Sequence, residues 1–328
     1  ATASPVPSSS SRIRSMPLLS VTDLATHFAT PGGTLKAVDG VSLVVARGET
    51  VGLVGESGCG KSTLGKTVLR LVPATSGSVV FDGQDVTRLS SGALQPVRRR
   101  AQMVFQDPFG SLNPRHTIEA ILTAPLVVHG IGDRVERRQR VADMIARVGL
   151  PHDSLVRWPH EFSGGQRQRI GIARALILGP DLVVCDEPVS ALDLSIQAQI
   201  LNLLVGMKRD LGLSYLFISH DLSVVRWFAD RVLVMYLGRI VESAPVAALW
   251  ERPLHPYTRA LMAAVPDPAR RRHAAPLGGD LPSPQDVPTG CRFHPRCPLA
   301  TDVCRSVDPS LAAAADGHAV ACHHADAA

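Results

Sequence analysis

The segment "VGLVGESGCGKST", residues 51 to 63, constrains the fold more than any other part of the chain. An apolar run ends in the pattern GxxxxGK[ST] at Gly55 to Ser62, and a helical run begins at Thr63. Gly55, Gly58 and Gly60 let the backbone curl so that successive N–H groups face an anion, and the following helix N-terminus adds positive potential. In that pattern Lys61 reaches the β and γ phosphates of a nucleotide and Ser62 ligates Mg²⁺. Such a loop needs a strand before it and a helix after it, which makes the expected fold class α/β.

Other apolar, β-branched runs support a sheet protein. "SLVVA", "TVGLVG", "GSVVF", "AQMVFQ", "DLVVCDE", "YLFISH" and "RVLVMY" read as buried parallel strands joined by crossover helices. Between Asp107 and Glu161 the strand signal stops. Val141, Met144, Ile145 and Val148 fall on one helical face there, so this stretch reads as a helical insertion in the α/β core. Residues 1 to 16, rich in Ser, Pro and Ala without periodicity, read as a disordered tail. Beyond about residue 245 the composition shifts to Pro, Ala, Gly and Arg, and the chain reads as a small loop-rich tail.

Two further motifs bear on a nucleotide. "LVVCDEP" places Asp186 and Glu187 at the tip of a buried strand, where one carboxylate can join a Mg²⁺ shell and the other can polarise water. An acidic pair at a strand end is often only a solvated edge; the phosphate loop upstream gives this one its meaning. "FSGGQRQR", residues 162 to 169, offers Ser163 as a helix N-cap and hence a second anion-binding terminus. A second such terminus is economically explained by a nucleotide held between two subunits.

Charge and cysteine usage narrow the classes. The chain has 328 residues and is 45% hydrophobic, enough for a large α/β domain and a smaller appendage. Its net charge of +5, from 34 basic and 29 acidic groups, is too mild to select a nucleic acid or a membrane surface. The run Arg98 to Arg100 reads as a solvated helix face. No stretch approaches about eighteen consecutive apolar residues, and the first residues lack a secretory apolar segment, so a cytosolic location is expected.

Six cysteines in a reducing compartment are not expected to form disulfides, and Cys59 and Cys185 sit alone in glycine-rich or apolar runs. Cys291, Cys297, Cys304 and Cys322 look like a metal or cluster set. Their spacing lacks the CxxC pairs of zinc ribbons and differs from ferredoxin runs, so zinc and iron–sulfur both stay open. His294, His318, His323 and His324 lie in the same region and could replace a ligand. A proline-rich segment of roughly 80 residues buries little apolar surface, so a bound group is expected to staple it.

In order and spacing these motifs resemble the ATP-binding subunits of ABC transporters over roughly residues 18 to 245. The resemblance implies a P-loop NTPase (RecA-like) nucleotide-binding domain over 17 to 245, with a helical subdomain at about 107 to 161. It implies that Gly55, Ser57, Gly58, Cys59, Gly60, Lys61, Ser62 and Thr63 form Walker A, and that Gln106 is the Q-loop residue sensing Mg²⁺ and facing the membrane partner. Asp186 would be the Walker B carboxylate, Glu187 the general base and His220 the switch histidine. Ser163, Gly164, Gly165 and Gln166 would be the signature that closes on the γ-phosphate of the opposite subunit. Residues 190 to 193, ending in Asp193, would be the D-loop, and Phe28 the aromatic that stacks on adenine. Phe162 stands where leucine is commoner, with the phosphate-facing residues after it intact.

"GESGCGKST", "FQDPFGSLNPR", "HEFSGGQRQRIGIARAL", "EPVSALD", "HPYTRAL" and "GCRFHPRCP" together resemble the ATPases of oligopeptide, dipeptide and nickel importers after residue 16. "SLNPR" is similar to the second of the two ATPases such importers carry, which implies a nonidentical ATPase partner. Two membrane-spanning permease subunits, a peptide-delivering binding protein and a place on the cytoplasmic face of the membrane follow from the same resemblance. Relatives with this cysteine pattern are associated with a [4Fe–4S] cluster, which assigns Cys291, Cys297, Cys304 and Cys322 as its ligands within a small C-terminal domain, 246 to 328. Two alternatives stand beside this reading: an importer ATPase for nickel or another solute with a zinc-binding interaction module, and a soluble ABC ATPase acting on nucleic acid or the ribosome. Against the latter, the chain has no second cassette and no aromatic-basic interleaving.

Overall fold

All seven β-branched runs are strands, but they divide between two sheets of opposite character. The computed structural model describes residues 16–107, 109–190, 192–265, 281–315 and 317–325. The disordered tail expected over residues 1 to 16 lies, apart from Met16, outside the described residues.

The strands are β1 (Leu19–Thr30), β2 (Gly33–Val45), β3 (Thr50–Val54), β4 (Ser76–Phe81), β5 (Gln84–Asp85), β6 (Ala101–Val104), β7 (Leu182–Asp186), β8 (Ser214–Ile218), β9 (Arg231–Tyr236), β10 (Arg239–Pro245), β11 (Ala312–Ala315) and β12 (His318–Val320). The large sheet runs β11-β12-β10-β9-β3-β8-β7-β6, and its stretch from β9 to β6 is parallel throughout. β3, β7 and β8 are buried at every residue, as parallel strands covered on both faces must be.

"SLVVA" and "GSVVF" correct the expectation of buried parallel strands. They lie in β2 and β4 of an antiparallel sheet ordered β2-β1-β4-β5. The reason is visible in β2, where Val41, Leu43 and Val45 are buried while Ser42 and Val44 are exposed. A strand with one wet face suits an antiparallel sheet. β1 escaped the sequence pattern because its register shifts around Asp23, whose φ of 45° breaks the alternation. A core that includes Leu24, Val41, Leu53, Leu64 and Leu216 joins the two sheets.

The helices are α1 (Lys61–Val68), α2 (Gln95–Arg100), α3 (Ile118–Val128), α4 (Arg134–Arg147), α5 (Gly164–Leu176), α6 (Leu194–Leu211), α7 (Leu222–Phe228), α8 (Val246–Glu251), α9 (Pro256–Ala263) and α10 (Asp302–Ser306). Among the described residues between 107 and 161 there is no strand, in accord with the expected helical insertion. α4 begins at a capping box of Asp133 and Glu136 and buries Val141, Met144 and Ile145; Val148 is its buried C-cap. In α2, Arg100 is not simply solvated: it pairs with Asp82 and Asp181 at 2.6 Å.

The C-terminal region is more than loops. β12 pairs with β10, setting Val320 opposite Glu242, and β11 pairs with β12, so the chain's end widens the large sheet. Glu242 is fully buried, and its carboxylate accepts bonds from the Leu254 and His255 N–H groups at 2.7 and 3.0 Å. His318 Nε2 lies 2.7 Å from the same carboxylate. Burial holds His255 neutral, with its pKa lowered to about 4. Removing a buried carboxylate that satisfies three donors leaves all three unpaired. Glu242→Ala is therefore expected to cost about 3 kcal/mol or more, read as a lowered urea midpoint of the full chain.

Candidate functional site

The phosphate loop leaves the end of β3 and enters α1 between the two sheets. Gly60 has φ 109°, and a Cβ there would overlap the carbonyl oxygen of Ala37 in β2. At Gly55 a Cβ would overlap the carbonyl oxygen of Met235 in β9. The loop is therefore pressed against backbone on two sides, which only glycine permits. Lys61 is 5% exposed, and Nζ donates to the carbonyl oxygens of Gly55 and Glu56, both at 2.8 Å. Those bonds fold the ammonium over the loop, where phosphate oxygens can exchange for the carbonyls. Ser57 and Gly58 are exposed on the loop, Cys59 is buried, and Thr63 lies in the first turn of α1.

The strand-end carboxylates divide into two roles. Asp186 is 2% exposed and accepts a 2.7 Å bond from Ser62 Oγ. Burial pushes its carboxyl pKa up against the opposing effects of Ser62 and Lys66. Ser62 and Asp186, with the nearby amide of Gln106, are hard oxygen donors of the kind Mg²⁺ takes. Glu187 follows with φ 46°, an uncommon conformation for a non-glycine residue that turns its side chain out of the strand. Gln106 Nε2 donates to Glu187 Oε2 at 3.0 Å, and His220 Nδ1 lies 3.1 Å from the same oxygen. Two residues from the ends of neighbouring strands thus meet at the carboxylate that ends a third, and the site is open, with the His220 side chain 54% exposed.

The remaining expected residues lie on other elements, and Ser190, at the start of the expected D-loop, donates its hydroxyl to the Glu187 carbonyl at 3.1 Å. Ser163 caps α5 in a closed box, its hydroxyl accepting from Gln166 N–H at 3.4 Å and Gln166 Oε1 accepting from Ser163 N–H at 3.0 Å. Among the described residues neither residue has a hydrogen bond to the phosphate loop; each bonds to the other. Gly165 is buried and Gly164 half-buried beside Leu192, while Asp193 is the exposed N-cap of α6. Ala191, within the expected D-loop, lies outside the described residues. Phe28 is 39% exposed on β1 opposite Leu35, on the hairpin that also carries Ala37.

A family profile described as ABC transporter matches residues 38–190, and one described as oligopeptide/dipeptide transporter, C-terminal region, matches residues 241–304. A putative peptide import ATP-binding protein of Brucella ovis is 55% identical over 308 residues, covering 93% of this chain and 97% of that protein. The oligopeptide transport ATP-binding protein AppF of Bacillus subtilis is 53% identical, covering 89% of this chain and 90% of its own. The chain belongs to the ATP-binding subunits of ABC oligopeptide/dipeptide transporters. A solved dimeric ATP-binding cassette in a post-hydrolysis state, bound to ADP and Pi, is similar in structure. Its TM-score is 0.65 and its identity 28%, covering 70% of this chain and 98% of that one.

This ATP-binding subunit is accordingly an ATPase of the P-loop α/β class, and ATP and Mg²⁺ are the ligands its cassette takes. Among its described residues no helix is long and apolar enough to cross a membrane.

None of the six cysteines of the ATP-binding subunit is paired in a disulfide. Burial, and then the fields of Cys304, Cys322 and Cys297, push the Cys291 thiol up to about 11. All four thiols therefore share one neighbourhood. Among the described residues, however, no three His, Cys, Asp or Glu side chains converge as ligands of one metal ion. Of the four histidines considered as replacement ligands, His318 faces Glu242, His323 faces the Val307 carbonyl, and His294 faces the Cys291 carbonyl. Only His324 touches a thiol, with Nε2 3.5 Å from Cys304 Sγ.

Tyr257 and Arg296 contact Glu56 of the phosphate loop, a role the sequence did not suggest for any of the three. Their motifs, "GES", "HPYTRAL" and "HPRCP", stand out in the sequence, but nothing in it joins residues 240 positions apart. For the site itself, Glu187→Gln is expected to keep MgATP binding and to slow phosphate release by the assembled transporter roughly 10²- to 10⁴-fold. Equal loss of binding and turnover would remove Glu187 from the role of base.

Proposed function

We propose that this subunit powers import of dipeptides and oligopeptides, pairing with a second, nonidentical ATPase beneath two permease subunits. The observation that carries the reading is the meeting of Gln106, Glu187 and His220 beside Lys61 and Ser62, in a chain whose C-terminal region matches the oligopeptide/dipeptide transporter type. In the proposed cycle ATP closes two such subunits, each supplying Ser163, Gly164, Gly165 and Gln166 to the other's γ-phosphate. Phe28 stacks on adenine, Asp186 and Gln106 join Ser62 around Mg²⁺, and Asp193 lies at the subunit junction. Glu187 then draws a proton from the attacking water while His220 contacts the γ-phosphate. The capping box of Ser163 and Gln166 supports the pairing, because it opens a second helix N-terminus able to meet an anion.

The permease side is proposed to dock over an open groove of about 820 Å³. It runs between the β6 edge and α3 past Phe105, Gln106, Pro125 and Arg174, so a docked helix would press on the residue that touches Glu187. That contact would hold the subunit on the cytoplasmic face of the membrane. A nucleic-acid role draws no support from the arginine run, since Arg100 is already held by Asp82 and Asp181.

The chain is further proposed to divide near residue 245 into a nucleotide-binding body (17 to 245, with its helical part at 107 to 161) and a C-terminal domain (246 to 328). Four thiols in one neighbourhood offer the all-sulfur donor set that a [4Fe–4S] cluster takes. Cys291, Cys297, Cys304 and Cys322 would hold it as a structural staple.

In transporter reconstituted with permeases and both ATPases, Lys61→Ala in this chain is expected to abolish ATP-driven peptide uptake; uptake of nickel in place of peptide would overturn the substrate. Anaerobic purification is expected to yield about four iron and four sulfide per chain, lost in Cys297→Ser. One zinc per chain instead would replace the cluster with a zinc module.

A further inference from the structure

The residue after the first glycine of the phosphate loop, Glu56, is held at three points, and two of the holders come from the C-terminal region. Arg296 grips the Glu56 carboxylate with both arms of its guanidinium, at 2.7 and 3.0 Å. The hydroxyl of Tyr257, on α9, accepts the Glu56 backbone N–H at 2.8 Å. The Glu56 carbonyl oxygen in turn accepts from Lys61 Nζ at 2.8 Å. One residue therefore links the C-terminal region to the lysine that meets the phosphates.

The holders are themselves fixed. Tyr257 is fully buried and packs edge-on against Tyr236, ring centroids 4.7 Å apart, with Phe293 5.5 Å away. The Arg296 side chain is 5% exposed and lies beside the Tyr236 ring. Arg296 ends the short helical turn His294–Arg296, between Cys291 and Cys297. At the start of the same segment, buried Arg292 donates to the Leu237 carbonyl at 2.6 Å and pairs with Asp39 of β2. The two arginines thus brace the loop itself and the β2 backbone that presses on Gly60.

We propose that Arg296 and Tyr257 are positioning residues for ATP: by fixing Glu56 they set the place of Lys61 and of the loop N–H groups before nucleotide arrives. A forked guanidinium–carboxylate pair whose arginine is nearly buried and whose carboxylate is part-buried is more rigid than a surface ion pair, so it can hold a loop in one geometry. Neither residue touches the phosphates, and the effect is on binding of ground state and transition state alike, which raises KM and spares kcat. The inference rests on the ATP-site assignment above.

The test uses the purified full chain, titrated with MgATP against a fluorescent ATP analogue, and the assembled transporter for kinetics. Arg296→Met and Glu56→Gln are each expected to weaken MgATP binding on the order of tenfold, with the double variant no weaker than the worse single. In the transporter KM for ATP should rise by the same factor, with kcat within about threefold. Tyr257→Phe, which keeps the ring packing, should weaken binding by roughly threefold, and Arg296→Lys should recover part of the loss. Lowered thermal stability with unchanged MgATP affinity in Glu56→Gln and Tyr257→Phe would overturn the proposal and leave a structural brace only. Independent, additive losses would overturn it as well. Lys61→Ala is the control: retained MgATP affinity there would sink the site assignment itself, a result distinguishable from wild-type affinity in the Arg296 and Glu56 variants.

Discussion

The structure depends on packing a glycine loop so tightly against neighbouring backbone that its shape is fixed. The phosphate loop does this by lying in a crevice between two sheets, with Ala37 of β2 against Gly60 and Met235 of β9 against Gly55. Neither approach tolerates a side chain, so the sheets and the loop have to be correct together. The core between the sheets, from Leu24 and Val41 to Leu53 and Leu216, is what holds that crevice at its width. A parallel sheet serves because it ends several loops on one edge, where Lys61, Gln106, Glu187 and His220 arrive from different parts of the chain.

The C-terminal region has a place in the same arrangement. Its strands β12 and β11 continue the large sheet beyond β10, and Phe293 enters the main core beside Tyr236 and Tyr257. Buried Glu242 ties His318 to the turn that starts α9, so the tail is fastened by hydrogen bonds that water cannot compete for. A segment read in isolation as poor in apolar residues is stable here because it borrows the apolar surface of the nucleotide-binding body. The thiols then lie on a frame that also carries the arginines reaching Asp39 and Glu56.

Much of the site was legible along the chain. The phosphate loop, the Asp186–Glu187 strand end and the Ser163 cap are local patterns, each set by a few adjacent residues and the element that contains them. Strand direction was not legible: "SLVVA" looks as apolar as "DLVVC", and only the exposed Ser42 and Val44 of β2 separate the two settings. β1 was hidden by its bulges, and β12 by being three residues long. The histidines near the cysteines looked equivalent in sequence; packing assigned His318 to Glu242 and left only His324 at a thiol.

By itself, then, the sequence determined that this chain has a phosphate loop on an α/β scaffold, a strand-end acid pair and a helix cap able to meet a second anion, because each is written in contiguous residues whose backbone preferences are local. Tertiary structure alone decided that Gln106 and His220 converge on Glu187, that Ser62 reaches Asp186, and that Arg296 and Tyr257 clamp Glu56. Those relations join residues up to 240 positions apart, and they exist only once burial of the two cores has brought distant segments within hydrogen-bonding reach.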